Sequence, residues 1–381
     1  MSETAPSIAP VPGGIQLYRG ASRDLEDGRG RFLADLEEAG VHRHVRMVDG
    51  SDAGGPFIRF LLTDQCVRDW VPGFDTTGLC RTLALDTHGK PADLDREILV
   101  AMLAAPIAFP FPGYGELASA VRIRKNIVRA GRRTALAFDT EEAERPDEYW
   151  TYSEERGFTV RPGKSLILAL EKATQPDRSG RLYSFSCYRA TEYVMLLGIA
   201  QELAVCNPEL LDGLQRQWET RALMSTPFHD VFLREYGTLG NPLPQRYYVP
   251  GDRLWFRNPD EPSSNVEGYE GSWVFYLGEG LFTNFWKRDQ PFTLATKCVE
   301  LFHWRNATFR GGDGALRVDD ELVDEKVRQS LRDPAEVEGI LRKMLRLRDP
   351  GNTYLNGGCI DATREYARYV RPGTSDLVFP G

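Results

Sequence analysis

A cysteine stands where an apolar helix should begin. The chain passes from a short aromatic run, Leu182-Tyr183-Ser184-Phe185-Ser186, into Cys187-Tyr188-Arg189-Ala190-Thr191-Glu192-Tyr193-Val194-Met195-Leu196-Leu197-Gly198-Ile199-Ala200, a segment of helical length. Ser184 and Ser186 are both candidate N-caps, because a serine oxygen accepts from the first free N–H groups of a helix. Either assignment puts Cys187 in or beside the first turn. There the unpaired N–H groups and the helix dipole favour an anion and should shift a thiol toward the thiolate, the reactive form in nucleophilic catalysis. The competing reading is a small apolar residue of the core, the commoner fate of a cysteine on an apolar helix.

The elements that must position this thiol can be sketched from the sequence. Residues 1 to about 14 read as a loose tail rich in Pro, Ser and Gly. Residues 31–40 read as a helix with a glycine stop, and Val45–Val48 and Phe57–Leu62 as strands. His42 and His44 would share one strand face, without a third ligand for a metal. A helix is expected over 93–105, then an extended proline-rich stretch, then a longer helix over about 115–137. That longer helix carries Arg122, Arg124, Lys125, Arg129, Arg132 and Arg133, a basic face for solvent or an acidic partner. A hairpin is expected at Tyr149–Val160, short helices from Ser165 and Pro208, and a β-rich region over 247–285 with Trp273–Leu277 returning through Leu281–Phe285. Asp333-Pro334-Ala335-Glu336 reads as a capped helix start, and Leu355–Cys359 as a turn.

Composition narrows the classes. A chain of 381 residues suggests two or three structural units, and 41% hydrophobic residues suffice for a packed core. The formal charge of −8 leaves no general basic footprint for nucleic acid. Six cysteines, at 66, 80, 187, 206, 298 and 359, are scattered without metal-ligand or disulfide spacing, as expected of reduced thiols in a cytoplasm. No signal peptide or membrane span is expected.

Four stretches taken together resemble the small bacterial transglutaminase of spore coats, a protein-glutamine gamma-glutamyltransferase. They are Arg124-Lys125-Asn126-Ile127-Val128, Tyr149-Trp150 with its turn, the entry Tyr183 to Cys187, and Gly251-Asp252-Arg253-Leu254-Trp255-Phe256-Arg257-Asn258-Pro259 running on to Phe285. The resemblance covers about 90–311. It implies an α+β, papain-like cysteine-hydrolase core at 91–311, between an N-terminal extension (1–90) and a helical C-terminal extension (312–381). It also implies a nucleophile at Cys187 that forms a thioester with a glutamine side chain, later resolved by an amine or water. The expected partners are protein or peptide glutamines and lysines, or a small amide or amine, with no cofactor and no metal.

The supporting residues depart from the family pattern. Ser186 stands where the family has an acidic residue, Ser272 where it has a catalytic glutamate, and Asn284 where it has a histidine. Glu270, two residues before Ser272, is a replacement carboxylate, with Glu267, His229 and His303 as more distant candidates. Asn284 could orient a base or donate to an oxyanion. Ser186, Tyr183 and Trp273 are assigned to substrate binding. The alternative to an enzyme is a family member that has lost turnover and binds peptides or proteins, or serves assembly.

Overall fold

The computed structural model describes residues 13–18, 24–137, 143–349 and 357–380. The tail expected at the N-terminus therefore lies outside the described residues as far as residue 12, as do Leu355 and Asn356 of the expected turn. Strand β1 (Ile15–Tyr18) is followed by helix α1 (Asp24–Glu38) and by the hairpin β2 (Val45–Asp52) and β3 (Gly55–Leu62). Helix α2 (Pro91–Leu103) opens with proline at its first position, and β4 (Phe109–Phe111) completes a four-stranded sheet in the order β2-β3-β1-β4. His42 and His44 lie in one tight 3-10 turn and not on a strand face. His44 turns instead to the Cys66 sulfur at 3.3 Å and to the Trp70 ring, 4.7 Å away between centroids.

Helix α3 (Tyr114–Arg133) ends four residues before the expected 137. The chain leaves it because its backbone finds partners elsewhere. Leu136 donates to Phe285, Ala137 donates to Tyr183, and Phe185 donates back to Ala137. This bridge fixes the approach to Cys187. The hairpin β5 (Trp150–Ser153) and β6 (Gly157–Val160) and helix α4 (Leu166–Thr174), capped by Ser165, follow as expected. Helix α5 (Cys187–Cys206) is buried on nearly all sides, which explains its apolar run from Tyr193 to Ala200. Its Gly198 admits α3 closely, since a Cβ there would stand 2.6 Å from the Ile127 side chain. Helix α6 (Pro208–Thr220) packs beyond it.

A second, six-stranded sheet uses β7 (Leu233–Tyr236), β8 (Arg253–Arg257), β9 (Gly271–Gly278), β10 (Leu281–Phe282) and β11 (Phe292–Thr293). Helices α7 (Leu294–Trp304), α8 (Asp320–Ser330) and α9 (Pro334–Met344) precede its last strand, β12 (Arg364–Ala367). The order is β11-β10-β9-β8-β12-β7, so β12 lies between strands that precede it by about a hundred residues or more. Strand alternation divides the residues between two cores. Leu254, Phe256, Val274 and Tyr276 pack with Cys298 and Leu301 of α7 and with Ile340 and Met344 of α9. Phe275 and Leu277 belong to the larger core that contains α3 and α5. Asp333 caps α9 as its sequence predicts, accepting from Ala335 and Glu336.

Candidate active site

Ser186 has an extended backbone, and its hydroxyl accepts from the Arg189 N–H at 3.3 Å, so Ser186 is the N-cap and Cys187 the first helical residue. Ser184 lies one turn of chain earlier in the bridge to Ala137. The sheet supplies the facing wall. Tyr276 donates to Asp252, which sets the alternation of β9 so that the Trp273 N–H points away from β8. Strand β10 is too short to meet it there, and the Trp273 N–H acts on the Cys187 sulfur instead, together with the Tyr188 N–H. These donors stabilise a thiolate, as expected of a helix start. Burial outweighs them and pushes the Cys187 thiol up, opposite to the direction that helix position alone predicts. The residue itself remains partly exposed.

Two cations act on the same sulfur, Lys297 before Arg253 in strength. Lys297 is 2% exposed on α7, held by Glu300 at 2.7 Å and by the Phe292 ring at 4.1 Å. Arg253 is 1% exposed and sits 3.9 Å over the Trp273 ring and 4.8 Å from Tyr188. Its Nε donates to Thr191 of α5 at 2.8 Å and its Nη1 pairs with Glu365 of β12. Tyr188 and Trp273 meet edge to face at 5.2 Å. Neither cation was singled out in the sequence. The available signals were a lone lysine inside the apolar run Leu294–Trp304 and the arginine of Gly251-Asp252-Arg253.

Of the expected site residues, Cys187, Ser186 and Trp273 come together. Ser272 is buried on the face of β9 shared with Val274 and Tyr276, opposite to Trp273. Asn284 is not on a return strand, because β10 stops at Phe282. Its amide donates to the Gln290 carbonyl at 3.0 Å and accepts from the Lys287 N–H at 3.2 Å, holding a turn. Glu270 is exposed just before β9, and Glu267 is exposed in the loop ahead of it. Tyr183 is buried, with the Arg181 guanidinium 4.6 Å over its ring. His303 joins α7 to α8 through Ser330 at 2.7 Å, and burial lowers its pKa. His229 meets Glu365 at 3.5 Å and Glu235 at 3.7 Å, and these three place ligand atoms within 4.8 Å of one another, the one such trio among the described residues. Arg253 already holds the other oxygen of that Glu365 carboxylate.

The family model for protein-glutamine gamma-glutamyltransferase matches residues 79–379. The chain belongs to that family. The match takes in β12 and the α7–α9 helices. No curated protein matches the chain. Among solved structures, a transglutaminase from Geobacillus stearothermophilus, without its C-terminal extension, is 15% identical over 70% of this chain and 98% of that one, at a TM-score of 0.39. Transglutaminases transfer the acyl group of protein glutamines to amines, so acyl transfer is the general activity the family supports. The mixed helix and sheet composition accords with the α+β expectation. No helix among the described residues is long and apolar enough to cross a membrane.

Proposed function

We propose that the protein is a cysteine-dependent acyltransferase with a papain-like core in which Cys187 is the nucleophile. The supporting observation is the place of Cys187: first residue of α5, its sulfur facing the Trp273 N–H of the sheet, with Lys297 and Arg253 near it. The thiol loses its proton to solvent, the sulfur attacks the carboxamide carbon of a glutamine, and the C–N bond breaks as the nitrogen takes a proton from solvent and leaves as ammonia. A lysine amine then attacks the thioester carbon, forming the new amide and restoring the thiol. The family's acidic and histidine positions are Ser272 and Asn284 here, neither of them a base. The Trp273 N–H and then the positive charge of Lys297, with the Tyr188 N–H and Arg253 behind them, therefore stabilise the thiolate, and solvent takes the thiol proton. On this reading the reaction quickens as pH rises.

A second reading, peptide binding without turnover, is favoured by the burial that pushes the thiol up. One experiment separates the two. The protein is treated with limiting iodoacetamide from pH 6 to 10, each cysteine is quantified by peptide mass spectrometry, and incorporation of a fluorescent amine into casein is followed alongside. Cys187 should label faster than Cys206, with incorporation rising over the same alkaline range and absent in Cys187→Ser. Lys297→Met should slow both processes at least threefold. Selective labelling without incorporation would direct the nucleophile to hydrolysis or a small acyl donor. Labelling no faster than at Cys206, with no incorporation at any pH, would leave the binding reading.

A further inference from the structure

The basic face of α3 is not a uniformly solvated surface. It forms one wall of a cleft of about 460 Å³, whose other walls are α4 with the residue after it and the C-terminal end of α5. Four cations of α3 line it: Arg122, Lys125, Arg129 and Arg133. Two of these are neutralised within the fold. Arg122 makes a bidentate pair with the buried Glu202, at 2.9 Å from Nε and 2.7 Å from Nη2, and Lys125 pairs with Asp95 at 2.7 Å. The cleft's other carboxylate, Glu171, is held by Arg178 at 2.8 Å.

Arg129 and Arg133 have no ion pair among the described residues. Arg133 helps to hold the Asp177 carboxyl low, but that carboxylate is already gripped on both oxygens by Arg288, at 2.9 and 3.0 Å. The two guanidiniums, neither ion-paired among the described residues, are four residues apart on one helix, where side chains are neighbours and like charges destabilise the helix unless an anion lies between them. A second observation points the same way. Gln175 is 3% exposed, lines the cleft, and its side-chain amide makes no hydrogen bond among the described residues. Its polar atoms open onto the cleft and are available to a ligand.

We infer that this cleft binds a small phosphorylated ligand with two adjacent phosphoryl groups. Two guanidinium forks one helical turn apart suit a diphosphate, and Gln175 and Gln201 offer amides to its neutral part. The volume is that of a small-molecule site and not of a flat protein interface. The site is separate from the thiol. Gln201 stands fourteen residues along α5 from Cys187, about 21 Å by the helical rise, so the inference does not depend on Cys187 being catalytic.

The test is isothermal titration of the full chain at 150 mM salt with inorganic pyrophosphate, adenosine diphosphate and citrate. Pyrophosphate and the nucleotide should each saturate one site, and Arg129→Ala/Arg133→Ala should weaken both at least tenfold. Both arginines are exposed, so the variant should fold, which its melting curve would verify. Tighter binding of the nucleotide would assign the amides to its neutral part, while equal binding would mean the site reads the diphosphate alone. The inference is overturned if neither phosphate saturates, if the double variant binds them unchanged, or if citrate binds as tightly as pyrophosphate.

Discussion

Asp252 anchors the start of β8, and replacing it should be among the most damaging single changes in the protein. Its carboxylate is fully buried. One oxygen accepts from Arg124 Nη1 of α3 at 2.7 Å, and the other accepts from the Val249 N–H at 2.8 Å and from the Tyr236 hydroxyl. Gly251, with φ of +88°, lets this turn lie directly on α3, since a Cβ there would be 2.9 Å from Arg124 Cα. Asp252→Asn preserves the shape but not the bonding. Whichever way the new amide is turned, its NH2 faces a donor, and Arg124, 3% exposed, keeps its charge without a counter-ion. Removing one partner of a buried pair costs about 3–5 kcal/mol, a large share of the ~5–15 kcal/mol that holds a typical domain together. Arg124→Met in the Asp252→Asn background removes the stranded charge, and the amide can then donate to the Pro250 carbonyl that Arg124 now contacts at 3.2 Å. The double variant should recover at least about 2 kcal/mol relative to the sum of the singles. Urea unfolding of the four proteins measures this directly. A loss below about 1 kcal/mol for Asp252→Asn, or strict additivity in the double variant, would refute the claim that this pair locks β8 to α3.

Two further outcomes follow from buried groups away from the thiol. Glu97 of α2 is 1% exposed; its Oε1 accepts from the Glu279 N–H at 3.0 Å, and burial raises its pKa to about 7 against the pull of the Cys80 thiol and that N–H. A carboxyl raised in the folded state stabilises the protein below its unfolded pKa of 4.5, and that stability is lost as pH rises through the folded value. The difference between wild type and Glu97→Gln should therefore shift by up to about 3 kcal/mol in favour of the variant between pH 5 and pH 8, and a pH-independent difference would contradict it. Cys298 and Cys359, both fully buried with their sulfurs 3.6 Å apart, should resist iodoacetamide in the folded protein and react only after denaturation; native labelling as fast as at Cys206 would show that this core opens.

What could be read from the sequence, and what could not, divides along the range of the interactions. The Ser186 cap before Cys187, the Tyr149–Val160 hairpin and the Asp333-Pro334 helix start are local signals, and each lies where the sequence places it. Asn284 departs from the return strand expected of it because its role depends on Lys287 and Gln290 closing a turn just where β10 stops. The Cys187 shift runs against the helix-start expectation for a related reason: the helix start is visible in sequence, whereas the crowding from β9 and α7 is not. Arg253 and Glu365 are 112 positions apart, and Lys297 reaches the thiol's neighbourhood from another helix again. No spacing rule joins such residues. Glu270 seemed a substitute carboxylate because it is near Ser272 in sequence, yet the groups that act on the sulfur come from α5, β8, β9 and α7, and the charged ones are cations. On the proposed reading, the departures at Ser272 and Asn284 and the presence of Lys297 and Arg253 belong to one arrangement. Among the described residues no carboxylate or imidazole is one of the main influences on the thiol, so on this reading there is no base to be matched to neutral pH. The thiol's reactivity then depends on how well the Trp273 N–H and fixed positive charge offset burial, which makes Lys297 the side chain whose neutralisation should matter most to the chemistry after Cys187 itself.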